Sequence, residues 1–166
     1  MIALVPLKSL DDAKSRLGSV LDAQGRHDLA LRMLTRVVDA CQGAGLEVAI
    51  VSSDPMAYIA ARELGAVVVD DGGEDLTGSV RRGLAAYPDA PLAVVIAADL
   101  PYVTTDDVEA LIGAADPVAV APSPDGRTNA VAARPPAAFA PAYGPDSAPP
   151  PRGGRGDPRP ARWRRL

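Results

Sequence analysis

Two rhythms of apolar residues alternate along the chain as far as Arg134. Short unbroken apolar runs at "IALVPL" (2–7), "EVAIVSSD" (47–54), "AVVVDD" (66–71) and "LAVVIAA" (92–98) read as buried strands, and "VAVAPS" (118–123) and "NAVAAR" (129–134) as two more. Between them, apolar positions recur at helical spacing. From Ala30 the stripe Met33, Leu34, Val37, Val38, Cys41 predicts a helix closed by Gly43 and Gly45. "PMAYIAARELG" opens with Pro55 in a first-turn position and closes at Gly65. "LTGSVRRGLAAY" (76–87) and the stretch from about Thr105 to Ala115 complete the helical set.

Strands that are apolar throughout, each followed by a helix, predict an α/β fold with a mainly parallel sheet and helices on both faces. In such sheets ligands bind outside the carboxyl ends of the strands. The loops after Leu7, Ser52, Asp70 and Ala98 are therefore where chemistry is expected. The periodicity stops near residue 148, which divides the chain into one α/β domain over 1–148 and a tail over 149–166. That tail holds five Pro, three Gly and six Arg, a composition that builds no packed element.

Composition changes this picture at a few points. Hydrophobic residues make up 48% of the chain but aromatics only 4%, so the core is built of Ala, Val and Leu. The single cysteine, Cys41, cannot close an internal disulfide, lies on an apolar helical stripe and reads as core. No apolar run approaches the roughly 20 residues of a membrane span, and the opening lacks a basic leader, so a cytoplasmic protein without membrane contact is expected. The net charge of −4 conceals an asymmetry: the tail carries six Arg against one Asp, whereas residues 1–148 carry 11 basic against 20 acidic side chains. Such an acidic body does not suit nucleic-acid binding. His27 is the only histidine and stands in a charged, exposed-looking stretch, which argues against a His-based triad or a His-rich metal site.

Several residues bear on chemistry. Lys8, Lys14 and Arg16 lie in or beside the loop after the first strand, where an anion would dock, with Ser15 and backbone amides as further donors; a solvated basic turn fits them equally. Asp99 ends a buried strand at the ligand edge, as either a Mg²⁺ ligand or a carboxylate bonded to its own turn. Thr104 followed by Asp107 has capping-box spacing, with Asp106 favourable in the same first turn, so both acids are assigned to helix initiation. The Gly-rich acidic loop "DDGGEDLTGSV" (70–80) either lets flexible backbone approach a purine or is an ordinary turn. Thr128 and Asn129 stand at the start of the last strand.

Taken in order, "VPLKSLDDAKSRL", "DDGGEDLTGSVRRG", "VVIAADLPYVTTDDVEAL", "DGRTNAV" and "FAPAYGPDS" resemble the 2-phospho-L-lactate guanylyltransferase family of coenzyme F-420 biosynthesis, whose actinobacterial members act on phosphoenolpyruvate. The resemblance covers residues 1–148 and implies a nucleotidyltransferase-type α/β fold. It implies GMP transfer from GTP to the phosphate of phosphoenolpyruvate or 2-phospho-L-lactate, with release of pyrophosphate. It further implies Asp99 as a Mg²⁺ ligand and catalytic residue, and Lys8, Lys14 and Arg16 near the triphosphate, Lys14 with a catalytic part. Asp71, Gly72 and Thr77 would face guanine and ribose, and Thr128, Gly144 and Ser147 would hold the acceptor. A homodimer is compatible with these features, and the oligomeric state stays open.

Two departures from the family pattern stand out. Thr77 occupies a position where the family usually has Asn. After "GPDS" the family continues into a helix and an acidic segment that completes the metal site, whereas this chain turns into "APPPRGGRGDPRPARWRRL". Asp157, the one acid there, lacks the flanking pattern. The expectation is that the family's C-terminal part is missing and the tail is an out-of-frame translation; an intact frame at the locus, with no family-like segment in the neighbouring frames, would overturn it. Competing readings are a molybdenum-cofactor-type nucleotidyltransferase, which would show a Gly-rich basic loop after the first strand, and a nucleotide-binding remnant without turnover. RNA binding through the Arg-rich tail is a third.

Overall fold

A computed structural model describes residues 1–8, 21–123 and 127–143. Six strands form one sheet in the order β3-β2-β1-β4-β6-β5. They are β1 (Ile2–Pro6), β2 (Glu47–Val51), β3 (Val67–Val69), β4 (Ala93–Ile96), β5 (Val118–Pro122) and β6 (Thr128–Ala133). Four helices connect them: α1 (Ala23–Gly43), α2 (Pro55–Glu63), α3 (Leu76–Ala85) and α4 (Thr105–Gly113). The predicted elements are all present, with strand ends trimmed where pairing stops.

β3, β2, β1 and β4 run parallel, but β6 is antiparallel to both β4 and β5. The sheet is therefore mainly parallel, as expected, with its antiparallel pairings confined to β6. Only five residues separate Pro122 from Thr128, too few for a helical crossover, so the last two strands pair as a hairpin.

Strand alternation distributes the core between two faces. Ala3 and Val5, Val48 and Ile50, and Val94 and Ile96 point to one side, where α1, α2 and α4 pack. Ile2 and Leu4, Ala49 and Val51, and Ala93 and Val95 point to the other, where Val80 and Leu84 of α3 meet Phe139 and Tyr143. Right-handed crossovers explain the split: β1→β2→β3 steps outward one way, and β3→β4 returns across the sheet on the opposite face. The order of connections therefore reverses between β1 and β4. α3 lies close to its face because Gly83 has no side chain; a Cβ there would stand 3.0 Å from Val51 Cγ2 and 3.1 Å from Leu4 Cδ1.

Helix starts depart from the apolar pattern in one instructive case. α1 begins seven residues before the apolar stripe, at Ala23, where the Asp22 carboxylate accepts from the Gly25 amide at 2.7 Å. The first two turns are exposed or half-buried, so they carry no stripe. His27 falls in this part and is half-buried, not exposed as expected. α4 follows its prediction: Thr104 and Asp107 form the capping box, and Asp106 sits in the first turn. Cys41 is fully buried, as its position predicts, and burial pushes its thiol up to about 12.

Candidate functional site

The reversal between β1 and β4 opens a crevice at their carboxyl ends, as such switch points do. A cavity of about 300 Å³ lies there. Pro6, Leu7 and Lys8 form its wall from the end of β1, and Val95 to Asp99 from the end of β4. Ala30 and Met33 of α1, Leu76 of α3 and Tyr143 add apolar surface, and Thr128 and Asn129 contribute polar groups.

Each side chain arrives there for a local reason. The Leu7 amide donates to Val51 O at 3.0 Å, carrying the β1 direction one residue past the strand and leaving Lys8 exposed at the cavity edge. After β4 the Ala97 amide donates to Asn129 O at 2.8 Å, and the chain then turns, placing Asp99 exposed on the wall. Thr128 and Asn129 stand at the amino end of β6. Only because β6 is antiparallel, with Ala130 opposite Ile96, does that end meet the carboxyl end of β4.

The loop after β3 is built differently. Asp71 is 3% exposed and one of three buried polar residues among those described, with Ser52 and Ser79. Its two carboxylate oxygens accept from the Gly73 amide at 2.9 Å and from Ser79 Oγ at 2.6 Å. Burial alone would raise the Asp71 carboxyl, but hydrogen bonds from Ser79, Gly73 and Ser53, together with the Arg82 charge, outweigh it and hold the group below its ordinary value. Gly72 and Gly73 take positive φ of 63° and 75°, where a side chain would be strained. The Gly72 amide donates to Asp70 Oδ1 at 2.8 Å, and outside the loop Arg82 Nε pairs with Glu74 Oε1 at 2.6 Å. Asp75 caps α3 through the Gly78 amide at 2.8 Å, an N-cap that the residue pattern had left weak. The loop is thus cross-braced, not slack.

The sequence-predicted residues therefore separate. Lys8, Asp99 and Thr128 are brought to one cavity. Asp71, Gly72 and Thr77 do not line it; of their segment Leu76 reaches the wall, and Thr77 stands one residue behind it. Lys14, Arg16, Gly144 and Ser147 lie outside the described residues. Of the four loops expected to meet, that after Ser52 supplies no wall residue, and that after Asp70 none before Leu76 at the start of α3. Met33, Leu76 and Tyr143 were not singled out from sequence, since an apolar residue facing a cavity has the same local pattern as one facing the core. Burial in apolar surroundings pushes the Tyr143 phenol well above its ordinary value.

Among the described residues no helix is long and apolar enough to cross a membrane, and no three His, Cys, Asp or Glu gather as a metal cluster. The fold is shared with a nucleotidyl transferase from Methanothermobacter thermautotroptrophicus at TM-score 0.65 and 20% identity, covering 87% of this chain and 77% of that one. It is also shared with a Desulfovibrio desulfuricans G20 chain described as a nucleotide-diphospho-sugar transferase, at TM-score 0.68 and 19% identity, covering 95% and 71%.

Sequence relatives are closer. The phosphoenolpyruvate guanylyltransferase of Rubrobacter xylanophilus is 44% identical over 154 residues, covering 89% of this chain and 75% of the relative. That of Roseiflexus castenholzii is 38% identical over 131 residues, covering 78% and 61%. The 2-phospho-L-lactate guanylyltransferase of Haloarcula marismortui is 38% identical over 124 residues, covering 74% and 57%. The chain thus spans between about half and three quarters of the length of these relatives. Residues 1–147 match the family described as "Guanylyl transferase CofC like", and with these identities and this crevice the chain belongs to that family.

Proposed function

We propose that this protein joins GMP from GTP to the phosphate of phosphoenolpyruvate or 2-phospho-L-lactate, releasing pyrophosphate, as a step toward coenzyme F-420. The carrying observation is that Lys8, Asp99, Thr128 and Asn129 meet on one cavity at the switch point of a CofC-like chain.

The chemistry asks little of protein side chains as covalent partners. An oxygen of the acceptor's phosphate attacks the α-phosphorus of GTP, the bond to the bridging oxygen breaks, and pyrophosphate leaves with that electron pair. A phosphate monoester is largely dianionic at neutral pH, so the nucleophile needs no protein base. What the site must supply is alignment and compensating charge. Lys8 sets a positive charge at the cavity edge against the triphosphate. Thr128 and Asn129 offer a hydroxyl and an amide to the acceptor's anionic groups. The apolar wall of Leu7, Met33, Leu76 and Tyr143 excludes water, which strengthens both effects.

Mg²⁺ is held by one or two protein carboxylates, with phosphate oxygens and water completing its shell. Asp99 on the cavity wall fits that share of the donor set. When bound, the ion offsets charge on the displaced pyrophosphate.

Pyrophosphate release from GTP with Mg²⁺ tests the reading, run separately with phosphoenolpyruvate and 2-phospho-L-lactate. Release dependent on one of these acceptors supports it. GTP binding without release under either acceptor would replace it with a nucleotide-binding role.

A further inference from the structure

The buried stripe of α1, followed back toward the start of the helix, arrives at a cation. Arg26 shares a helical face with Ala30, Met33 and Val37, all of them buried. β1 and β2 are parallel, so α1 descends from the carboxyl edge of the sheet to the amino edge. Its first turns therefore overhang the crevice and not the strands. Ala30 and Met33 line the cavity, and Arg26 lies outside that wall, one helical turn or about 6 Å beyond Ala30 toward the ligand edge. Long helical side chains lean toward the amino end, which carries the guanidinium further the same way.

This guanidinium is poorly used by the protein. Arg26 is half-buried, and its Nη1 donates to Leu21 O at 2.8 Å. Its Nε is the one buried side-chain nitrogen or oxygen among the described residues that has no hydrogen-bond partner. No carboxylate pairs with it among the described residues, although acids outnumber basic side chains 20 to 11 over residues 1–148. A buried N–H without an acceptor is costly. Tying Leu21 to the helix takes one donor, not a fork of five.

We infer that Arg26 is a phosphate-binding residue at the mouth of the crevice, and that the phosphate supplies the acceptor its Nε lacks. Turning the guanidinium toward the crevice gives up only the Leu21 bond. It presents Nε–H and Nη2–H side by side, the geometry that matches two phosphate oxygens. Lys8 is the cation already on the cavity wall, so Arg26 brings a second positive charge to the same crevice. In the proposed reaction the phosphate belongs to the nucleotide or to the acceptor. That choice of source rests on the proposed reaction; phosphate binding by Arg26 does not.

The full chain is titrated with inorganic pyrophosphate and, separately, with phosphoenolpyruvate, reading the Arg26 Nε–H resonance and the calorimetric Kd. The resonance should shift on saturation with one probe or both, which identifies the source of the phosphate. Arg26→Met keeps the apolar stem and should weaken that probe at least about tenfold, the scale of hydrogen bonds to charged groups. Arg26→Lys keeps the charge and a donor for Leu21 but loses the fork, and should recover only part of the affinity. A probe that binds while the resonance stays unmoved overturns the inference. So does an unchanged Kd in Arg26→Met, and a lower Tm beside it would make the residue a tie for Leu21 alone. Should Arg26→Met not fold, the wild-type resonance decides. Wild-type binding of neither probe also overturns the inference. A resonance that responds in a protein releasing no pyrophosphate from GTP with either acceptor overturns the proposed reaction and leaves the inference standing.

Discussion

Asp71 and Asp99 are both acids just past the carboxyl end of a buried parallel strand, yet their surroundings are opposite. Asp71 is buried, and both its oxygens accept hydrogen bonds from Gly73 and Ser79, within its own loop and helix. Asp99 is exposed on the wall of the switch-point cavity beside Ala97 and Ala98. The first carboxylate is buried and spent in shaping the protein, whereas the second lies exposed on the cavity wall. Strand-end acids thus divide by burial and by where their loops face. β3 is an edge strand whose loop folds back on α3, while β4 is central and its loop faces the switch point.

The sharpest way to break this contrast is to neutralise the presented acid. Asp99→Ala should lower pyrophosphate release at least about a hundredfold, the usual scale for removing a group that offsets transition-state charge. Its unfolding free energy from denaturant titration should stay within about 0.5 kcal/mol of wild type, as for other exposed substitutions. A large loss of stability with activity retained would invert the assignment.

Asp71→Ala should do the reverse. Removing the carboxylate strands the Gly73 amide and the Ser79 hydroxyl, which costs about 2–3 kcal/mol by the scale of charged hydrogen bonds. Urea unfolding at neutral pH reads this.

The same pair predicts a pH dependence. The folded Asp71 carboxyl titrates below its ordinary value, so its stabilising contribution is complete above the unfolded value of about 3.9. It fades as pH falls from there through the lower folded value. The stability gap between wild type and Asp71→Asn should therefore narrow below about pH 4. A gap that widens on acidification contradicts the bonding described for Asp71.

Smaller effects calibrate the frame that carries both acids. Gly83→Ala inserts a methyl between α3 and the Val51 and Leu4 side chains, an overpacking of about 1–3 kcal/mol. Arg82→Gln removes an exposed ion pair with Glu74 and should leave the unfolding midpoint where it was. A marked loss there would mean that the outer brace of the 70–75 loop contributes as much as the buried one.

The local readings were strongest where burial and capping leave a mark in neighbouring residues. The strands at 2–6, 47–51 and 93–96 are buried on both faces, so their unbroken Val, Ile, Leu and Ala runs follow directly. The Thr104–Asp107 box and the core position of Cys41 were equally legible. The early start of α1 was not, because Ala23 to Leu29 lie at the surface and carry no stripe. The Asp75 cap was obscured by Gly78, a poor helix former whose amide is nonetheless the group that Asp75 holds.

By itself the sequence determined the strand–helix alternation, the apolar two-sided core, the cap of α4 and the acid at the end of β4. These depend on periodicities and pairings within a few residues. Tertiary structure decided the direction of β6, and with it which end of that strand reaches the site. Run parallel to β4, Thr128 and Asn129 would lie at the amino edge of the sheet; run antiparallel, they join Asp99. It also decided that Asp71 turns inward to Ser79 and that Thr77 meets Tyr143. Strand direction and loop meeting depend on hydrogen bonds between segments far apart in the chain, and local hydrophobic spacing carries no information about them.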